Sequence, residues 1–333
     1  MKIAIFDVQA GEKQYFTKHL VGHELFLTRN KVDEATASLA KDCQVLMVFI
    51  TSQLTAKVLA IMPKLKLIVT RSTGFDHIDL DYCERRGIVV TNVPSYGENT
   101  VAEHAFALIL TLSRNIHKSY LRTTREDYRV EGLKGFDLRG KTIGVVGAGK
   151  IGLHLIKMAR GFDMRVLTYD VNRNDFLADV LGFKYVSLEE LLRRSDIISL
   201  HVPENKFTHH LINRQNIGLI KKGALLINTA RGGVVETEAL IEALDKKILS
   251  GAGLDVIEGE NLIMEEKQLA YDQETAKEMM SLVKNHILLS KDNVIFTPHI
   301  AFYSEEAVER IMEVSVENFQ AFIKGQPQNI VKA

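Results

Sequence analysis

Eleven residues near the middle of this chain leave it few ways to fold. The run Thr142-Ile-Gly-Val-Val-Gly-Ala-Gly-Lys-Ile-Gly152 joins a short apolar stretch to glycines spaced G-x-G-x-x-G. It reads as a strand, a tight turn and the start of a helix. Gly147 permits the turn out of the strand, Gly149 lets a ligand approach the backbone, and Gly152 lets the helix pack on the strand. A helix opening near Lys150 aims free N–H groups and the positive end of its dipole at phosphate. The next strand, residues 165–170, ends in Asp170, 18 positions beyond Gly152. A carboxylate there accepts hydrogen bonds from an adenosine ribose and repels a 2′-phosphate. The expected cofactor is therefore NAD (NADH) rather than NADP, with Arg173 as the nearby opposing charge.

Length and composition narrow the rest. A chain of 333 residues suggests two domains. Lys+Arg and Asp+Glu are equal at 42 each, so neither a nucleic-acid footprint nor a membrane-surface patch is expected. No apolar run approaches the roughly 18 residues of a spanning helix, and residues 2–6 read as a strand rather than a signal-peptide core. Cys43 and Cys83 lack metal-ligand spacing and read as buried thiols of a reducing compartment. A cytoplasmic enzyme with no metal is the expectation.

The first hundred residues alternate strands at 2–6, 45–50, 65–70 and 88–92 with helical pieces near 12–21, 32–39, 55–62 and 79–86. The strands are rich in Val, Ile and Leu without polar alternation, as parallel strands buried on both faces are. Residues 101–117 read as one long apolar helix, suited to a core or to a subunit contact. Beyond the glycine unit, strands at 196–202, 224–228, 251–255 and 294–297 bring the second region to six, enough for a doubly wound sheet. Residues 304–324 form an amphipathic helix with Ser304 as N-cap, which covers the second domain or returns to the first.

Three polar sites fall at strand ends, on the rim where such sheets bind ligands. They are Arg231 in residues 226–233, Asp255, Glu258 and Glu260 in residues 253–260, and His299 in residues 296–303. Beside a nicotinamide these form a coherent set. An arginine can hold a substrate carboxylate and polarise a carbonyl. A histidine can exchange the hydroxyl proton, and a carboxylate can orient the imidazole and favour its protonated form. Asp255 reads as orienting the nicotinamide end or supporting Arg231. His104, on the apolar helix, reads as a structural histidine, and His201, His209 and His210 have no companion ligands for a metal.

Taken together, Val145-Val-Gly-Ala-Gly-Lys-Ile-Gly152, His201-Val-Pro203, Asn228-Thr-Ala-Arg-Gly-Gly233, Gly253-Leu-Asp-Val-Ile-Glu-Gly-Glu260 and Thr297-Pro-His299 resemble the D-isomer-specific 2-hydroxyacid dehydrogenase family, in the family's order and over essentially the whole chain. The resemblance implies NAD-dependent reduction of a 2-keto acid to a D-2-hydroxy acid. It implies Arg231, Glu260 and His299 as the catalytic trio, because the family acid follows the strand-end Asp by five residues and so selects Glu260 over Glu258. It groups Lys150, Ile151, Val202, Pro203, Thr208, Thr229, Ala230, Arg231 and Asp255 with the glycines and Asp170 around the cofactor.

The same resemblance implies two Rossmann-like or flavodoxin-like α/β domains with parallel sheets and a cleft between them. Residues 1–98 with 302–333 would form the substrate domain and 99–301 the NAD domain. Thr73, Gly74 and Phe75, in Arg71-Ser-Thr-Gly-Phe-Asp-His77, match the loop whose N–H groups hold the substrate carboxylate. Tyr96, Phe302 and Tyr303 match pocket residues of the D-lactate dehydrogenase branch and, with Arg231 and His299, complete the substrate set. Pyruvate to D-lactate is thus the leading reaction. D-2-hydroxyisocaproate-type and glyoxylate or hydroxypyruvate reduction come next, and an NAD(H)-sensing corepressor or scaffold, disfavoured by the short termini, is the non-enzyme rival. A homodimer through the 101–117 helix is also implied. Residues 261–291 depart from many relatives; they read as a surface helix pair, with a lid or subunit contact as the alternative.

Overall fold

Runs of Val, Ile and Leu too short for helices and too apolar for surface strands build two parallel sheets. The computed structural model describes residues 1–9, 11–260 and 276–332. Its strands are β1 (Lys2–Ile5), β2 (Glu24–Leu27), β3 (Val45–Val48), β4 (Leu67–Thr70), β5 (Val89–Thr91), β6 (Thr142–Val146), β7 (Arg165–Tyr169), β8 (Lys184–Tyr185), β9 (Ile197–Leu200), β10 (Ala224–Asn228), β11 (Leu249–Leu254) and β12 (Val294–Phe296). Its α-helices are α1 (Glu12–His19), α2 (Ala56–Ala60), α3 (Leu80–Arg85), α4 (Glu98–Ser113), α5 (Ile116–Thr123), α6 (Lys150–Gly161), α7 (Asp175–Leu181), α8 (Leu188–Arg194), α9 (Thr237–Asp245), α10 (Ala276–Leu289) and α11 (Glu305–Ile323). They fall into two compact units, Met1–Gly97 with Tyr303–Ala333, and Glu98–Phe302.

In the first unit the sheet order is β2-β1-β3-β4-β5, all parallel. This is the flavodoxin-like winding. Side chains alternate between two apolar layers. Ile3, Ile5, Val45, Met47, Leu67 and Val69 face Phe16 of α1 and Val316 and Phe319 of α11. Ala4, Phe6, Leu46, Val48 and Ile68 face Val58 and Leu59 of α2 and Cys83 of α3. The C-terminal helix therefore packs on the first sheet. Ser304 caps it, its side chain accepting from the Ala307 N–H at 3.2 Å. Both cysteines are free and buried, and burial pushes the Cys83 thiol up to about 11.

In the second unit the order is β12-β11-β10-β9-β6-β7-β8, again all parallel. This is a doubly wound nucleotide-binding sheet with a seventh strand added at the β12 edge. One face carries α4, α6 and α7; the other carries α8, α9 and α10. Among the described residues, no helix is long and apolar enough to cross a membrane.

Four local expectations need correcting. β2 carries no strand signal in the sequence because Glu24-Leu-Phe-Leu27 is a half-covered edge strand, and β8 carries none because it has two residues. The helix expected over 32–39 is only a 3-10 turn, Ala37–Ala40. Asp33 explains this: its carboxylate takes the N–H groups of Ala35 and Thr36 at 3.0 and 2.9 Å, an alternative to helix pairing. The single helix expected over 101–117 is two, α4 and α5, divided at Asn115, whose φ is 50°. Of the helix pair expected over 261–291, the second member is α10, and residues 261–275 lie outside the described residues.

Candidate active site

One line of paired residues crosses the second sheet near its carboxyl edge: Tyr169, Val146, Leu200, Asn228, Leu254 and Phe296. Each strand sends a chemistry-bearing segment just past that line. β6 is followed by Gly147, β7 by Asp170, β9 by His201 and Val202, β10 by Thr229 and Arg231, β11 by Asp255 and Glu260, and β12 by His299. Neighbouring strands lie about 4.8 Å apart, so the ends of β10 and β12 stand roughly 10 Å apart.

The glycine turn has the shape an approaching pyrophosphate needs. Gly147 has φ +99°, and a Cβ there would lie 2.5 Å from the His201 carbonyl oxygen. A Cβ on Gly152 would lie 2.0 Å from the Gly147 oxygen, whereas nothing lies within 4 Å of one on Gly149. Gly149 caps α6 without any side-chain bond, leaving the first amides of the helix to a ligand. The Asp170 carboxylate takes the N–H groups of Ala148 and Asn172 at 2.6 and 2.7 Å, which fixes it beside the turn. Among the described residues, Thr229 Oγ1 and His201 Nδ1 are buried without a partner, as polar atoms awaiting a bound group are. An open N-terminus, a fixed carboxylate and unpaired polar atoms fit NAD. Lys150 lies 3.4 Å from Glu98. Thr208 is engaged in its own turn, its hydroxyl donating to the Pro203 carbonyl and accepting from the Asn205 N–H at 2.8 Å. Ile151 and Val202 lean on the apolar layers, Pro203 is exposed, and the Ala230 N–H donates to Asn228 Oδ1 at 3.1 Å.

Two acids compete for the imidazole, and geometry separates them. Nδ1 of His299 lies 2.8 Å from Glu260 Oε1. A carboxylate only accepts, so the hydrogen sits on Nδ1, and Nε2 remains for exchange with a substrate. Glu258 is spent elsewhere. Its Oε1 takes His210 Nε2 at 2.6 Å, and its Oε2 takes the N–H and hydroxyl of Thr237 at 2.8 and 2.7 Å. Arg231 is half-buried, extended (φ −143°, ψ 146°), and its Nη1 donates to the Ala230 carbonyl at 2.8 Å. Gly232, next to it, presses on the other acidic segment: a Cβ would lie 2.3 Å from the Ile257 carbonyl.

Asp255 anchors a loop through its carboxylate. It is 1% exposed, and its carboxylate accepts from the Thr297 hydroxyl and from the N–H groups of Ile300 and Ala301 at 3.0 and 2.9 Å. Its backbone carbonyl accepts the His299 N–H at 3.0 Å. All these bonds serve the loop that carries His299. His104 completes the anchor, its Nε2 lying 2.9 Å from Thr297 Oγ1. His299 itself is held at φ 53°, the left-handed region. The anchoring roles of Thr297 and His210 were not foreseen, and their residue types alone give no signal for them.

The first unit holds the other expected segment. Thr73, Gly74 and Phe75 follow β4; among the described residues their backbone N–H groups meet no acceptor. The Phe75 ring packs on the core below. The Tyr96 carbonyl accepts from Arg310 Nε at 2.6 Å. Phe302 is half-buried, and Tyr303 is 60% exposed.

A doubly wound sheet with an open glycine turn, and a carboxylate-bound imidazole on the same rim, defines an NAD-dependent oxidoreductase. Comparison with known proteins makes the class specific. Residues 106–301 match the model for the D-isomer specific 2-hydroxyacid dehydrogenase NAD-binding domain. The chain is 34% identical to D-lactate dehydrogenase of Escherichia coli (strain K12), over 98% of both chains. It is 40% identical to a glyoxylate reductase of Thermofilum pendens, over 86% of this chain and 80% of that protein. The crystal structure of D-lactate dehydrogenase from Aquifex aeolicus, complexed with NAD and lactic acid, superposes with a TM-score of 0.87 at 40% identity, covering 97% and 96% of the two chains. The chain belongs to the D-isomer-specific 2-hydroxyacid dehydrogenase family.

Proposed function

We propose that this enzyme reduces pyruvate to D-lactate, with Arg231, Glu260 and His299 as its catalytic residues. The observation that carries the reading is the 2.8 Å bond between His299 and Glu260 on the rim that also bears the glycine turn. When bound, NADH supplies the hydride that adds to the keto carbon. Arg231 binds the substrate carboxylate and keto oxygen, and its grip strengthens as negative charge builds on that oxygen. His299 donates its Nε2 proton to the same oxygen, giving the hydroxyl. Glu260 fixes the orientation of the imidazole through Nδ1. The unpaired N–H groups of Thr73, Gly74 and Phe75 give the substrate carboxylate a second holding point.

Pyruvate leads because the relatives from E. coli and A. aeolicus are D-lactate dehydrogenases and because Tyr96, Phe302 and Tyr303 match that branch. The T. pendens relative supports glyoxylate as the second reading. One methylene alters selectivity by only about 1–3 kcal/mol, so measurement must rank them. A kcat/KM panel over pyruvate, longer 2-keto acids, glyoxylate and hydroxypyruvate should peak at pyruvate; a peak at glyoxylate would replace the assignment. We also propose a cytoplasmic homodimer through α4. Sedimentation as a monomer at micromolar concentration would refute the dimer.

A further inference from the structure

The loop of Thr73 and Gly74 is tied to the C-terminal segment by a chain of asparagines within the first unit. Asn92 stands one residue past β5. Its side-chain Nδ2 donates to the Thr73 carbonyl at 2.8 Å. Two further bonds make this a double clamp: the Thr73 hydroxyl donates to the Val93 carbonyl at 2.8 Å, and the Val93 N–H to the Ser72 carbonyl at 3.0 Å. Asn92 is itself held on both sides of its backbone. Its carbonyl accepts from Asn318 Nδ2 at 2.8 Å, and its N–H donates to the Asn329 carbonyl at 3.1 Å. Asn318 lies on α11 and is fully buried, and its Oδ1 accepts from Asn329 Nδ2 at 2.8 Å.

The tail that carries Asn329 is fixed too. Ile330 bridges Thr91 in antiparallel fashion, and the Val331 N–H donates to the Val90 carbonyl at 2.9 Å. A fully buried amide satisfied on both its oxygen and its nitrogen is costly to misplace. The clamp takes the carbonyls of Ser72 and Thr73, and across the trans peptides that follow them the N–H groups of Thr73 and Gly74 point the opposite way.

We propose that Asn92, held by Asn318 and Asn329, is a positioning residue for the substrate carboxylate, setting where the Thr73–Phe75 N–H groups stand. The inference rests on the reading of that loop as the carboxylate's holding point. A carboxylate gripped by several N–H groups loses affinity when their geometry slips, while proton transfer at His299, in the other unit, is untouched.

The test compares Asn92→Asp, which keeps the shape but replaces the donor to Thr73 with a charged acceptor, and Asn92→Leu, which removes the donor without adding charge and should raise KM equally if the lost donor is the cause, with Asn318→Ala and Gly74→Pro. Asn92→Asp should raise KM for pyruvate at least tenfold, leave kcat within about twofold, and leave NADH affinity by fluorescence titration unchanged. Asn318→Ala, if it folds, should do the same more weakly, since Asn329 still holds Asn92. An unchanged KM in folded Asn92→Asp overturns the proposal, and so does a fall in kcat with KM constant. Gly74→Pro separates the two ideas. If it raises KM while Asn92→Asp does not, the positioning role fails and the holding point stands. If neither variant moves KM, both fail.

Discussion

The imidazole of His299 and the carboxylate of Glu260 meet at 2.8 Å although 39 residues separate them. Two strand ends make that meeting possible, and Asp255 makes it reproducible, because the same buried side chain anchors the loop on which His299 sits.

Removing the imidazole should abolish proton donation without touching the glycine turn. For His299→Ala we expect kcat for keto-acid reduction to fall by about 10²–10⁴, with NADH affinity within twofold of wild type. Stopped-flow turnover with a fluorescence titration measures both, and wild-type turnover would end the assignment.

The two acids should differ in their effect on rate. Glu260→Ala removes the acceptor that orients Nδ1 of His299, so kcat for keto-acid reduction should fall at least about tenfold. Glu258→Ala should leave kcat much closer to wild type, because Glu258 is bound to His210 and Thr237. The larger loss in the second variant instead of the first would exchange their roles.

Asp255 should matter to stability as well as to rate. Its replacement by Ala removes the acceptor of the Thr297 hydroxyl and of the Ile300 and Ala301 N–H groups, at about 1–3 kcal/mol for each buried group left unsatisfied. Urea unfolding of Asp255→Ala should show a loss of at least about 2 kcal/mol. A midpoint equal to wild type would mean that the loop finds other partners.

His201 gives a pH dependence of stability with a definite sign. Burial pushes its imidazole down to about 4. The unfolded chain, with an ordinary histidine near 6.5, therefore binds more protons between the two values. This contribution is complete above about pH 6.5 and is lost as pH falls toward 4. Unfolding midpoints of His201→Gln should accordingly fall less between pH 7 and 5 than those of wild type. Parallel curves would place the acid sensitivity elsewhere.

What could be read from the sequence was whatever is local to a strand end. The glycine turn, Asp170 and the segments of Arg231, Glu260 and His299 each announce themselves within a few residues, and parallel topology gathers them on one rim. What could not be read depends on partners far along the chain. Nothing near Asp255 shows that its oxygens serve residues 300 and 301, and nothing near Asn318 shows that it reaches Asn92. The edge strands β2 and β8 were lost because exposure and brevity erase the apolar run that betrays an inner strand. The end of α4 was lost because the left-handed residue Asn115 interrupts an otherwise helix-like pattern.

The backbone at residue 299, with φ 53°, decides which mutants of this enzyme can be interpreted cleanly. Valine or isoleucine there would combine a missing proton donor with a conformation that branched side chains resist, and any loss of rate would mix two causes. Asparagine tolerates left-handed geometry, so His299→Asn isolates the chemistry from the shape of the chain.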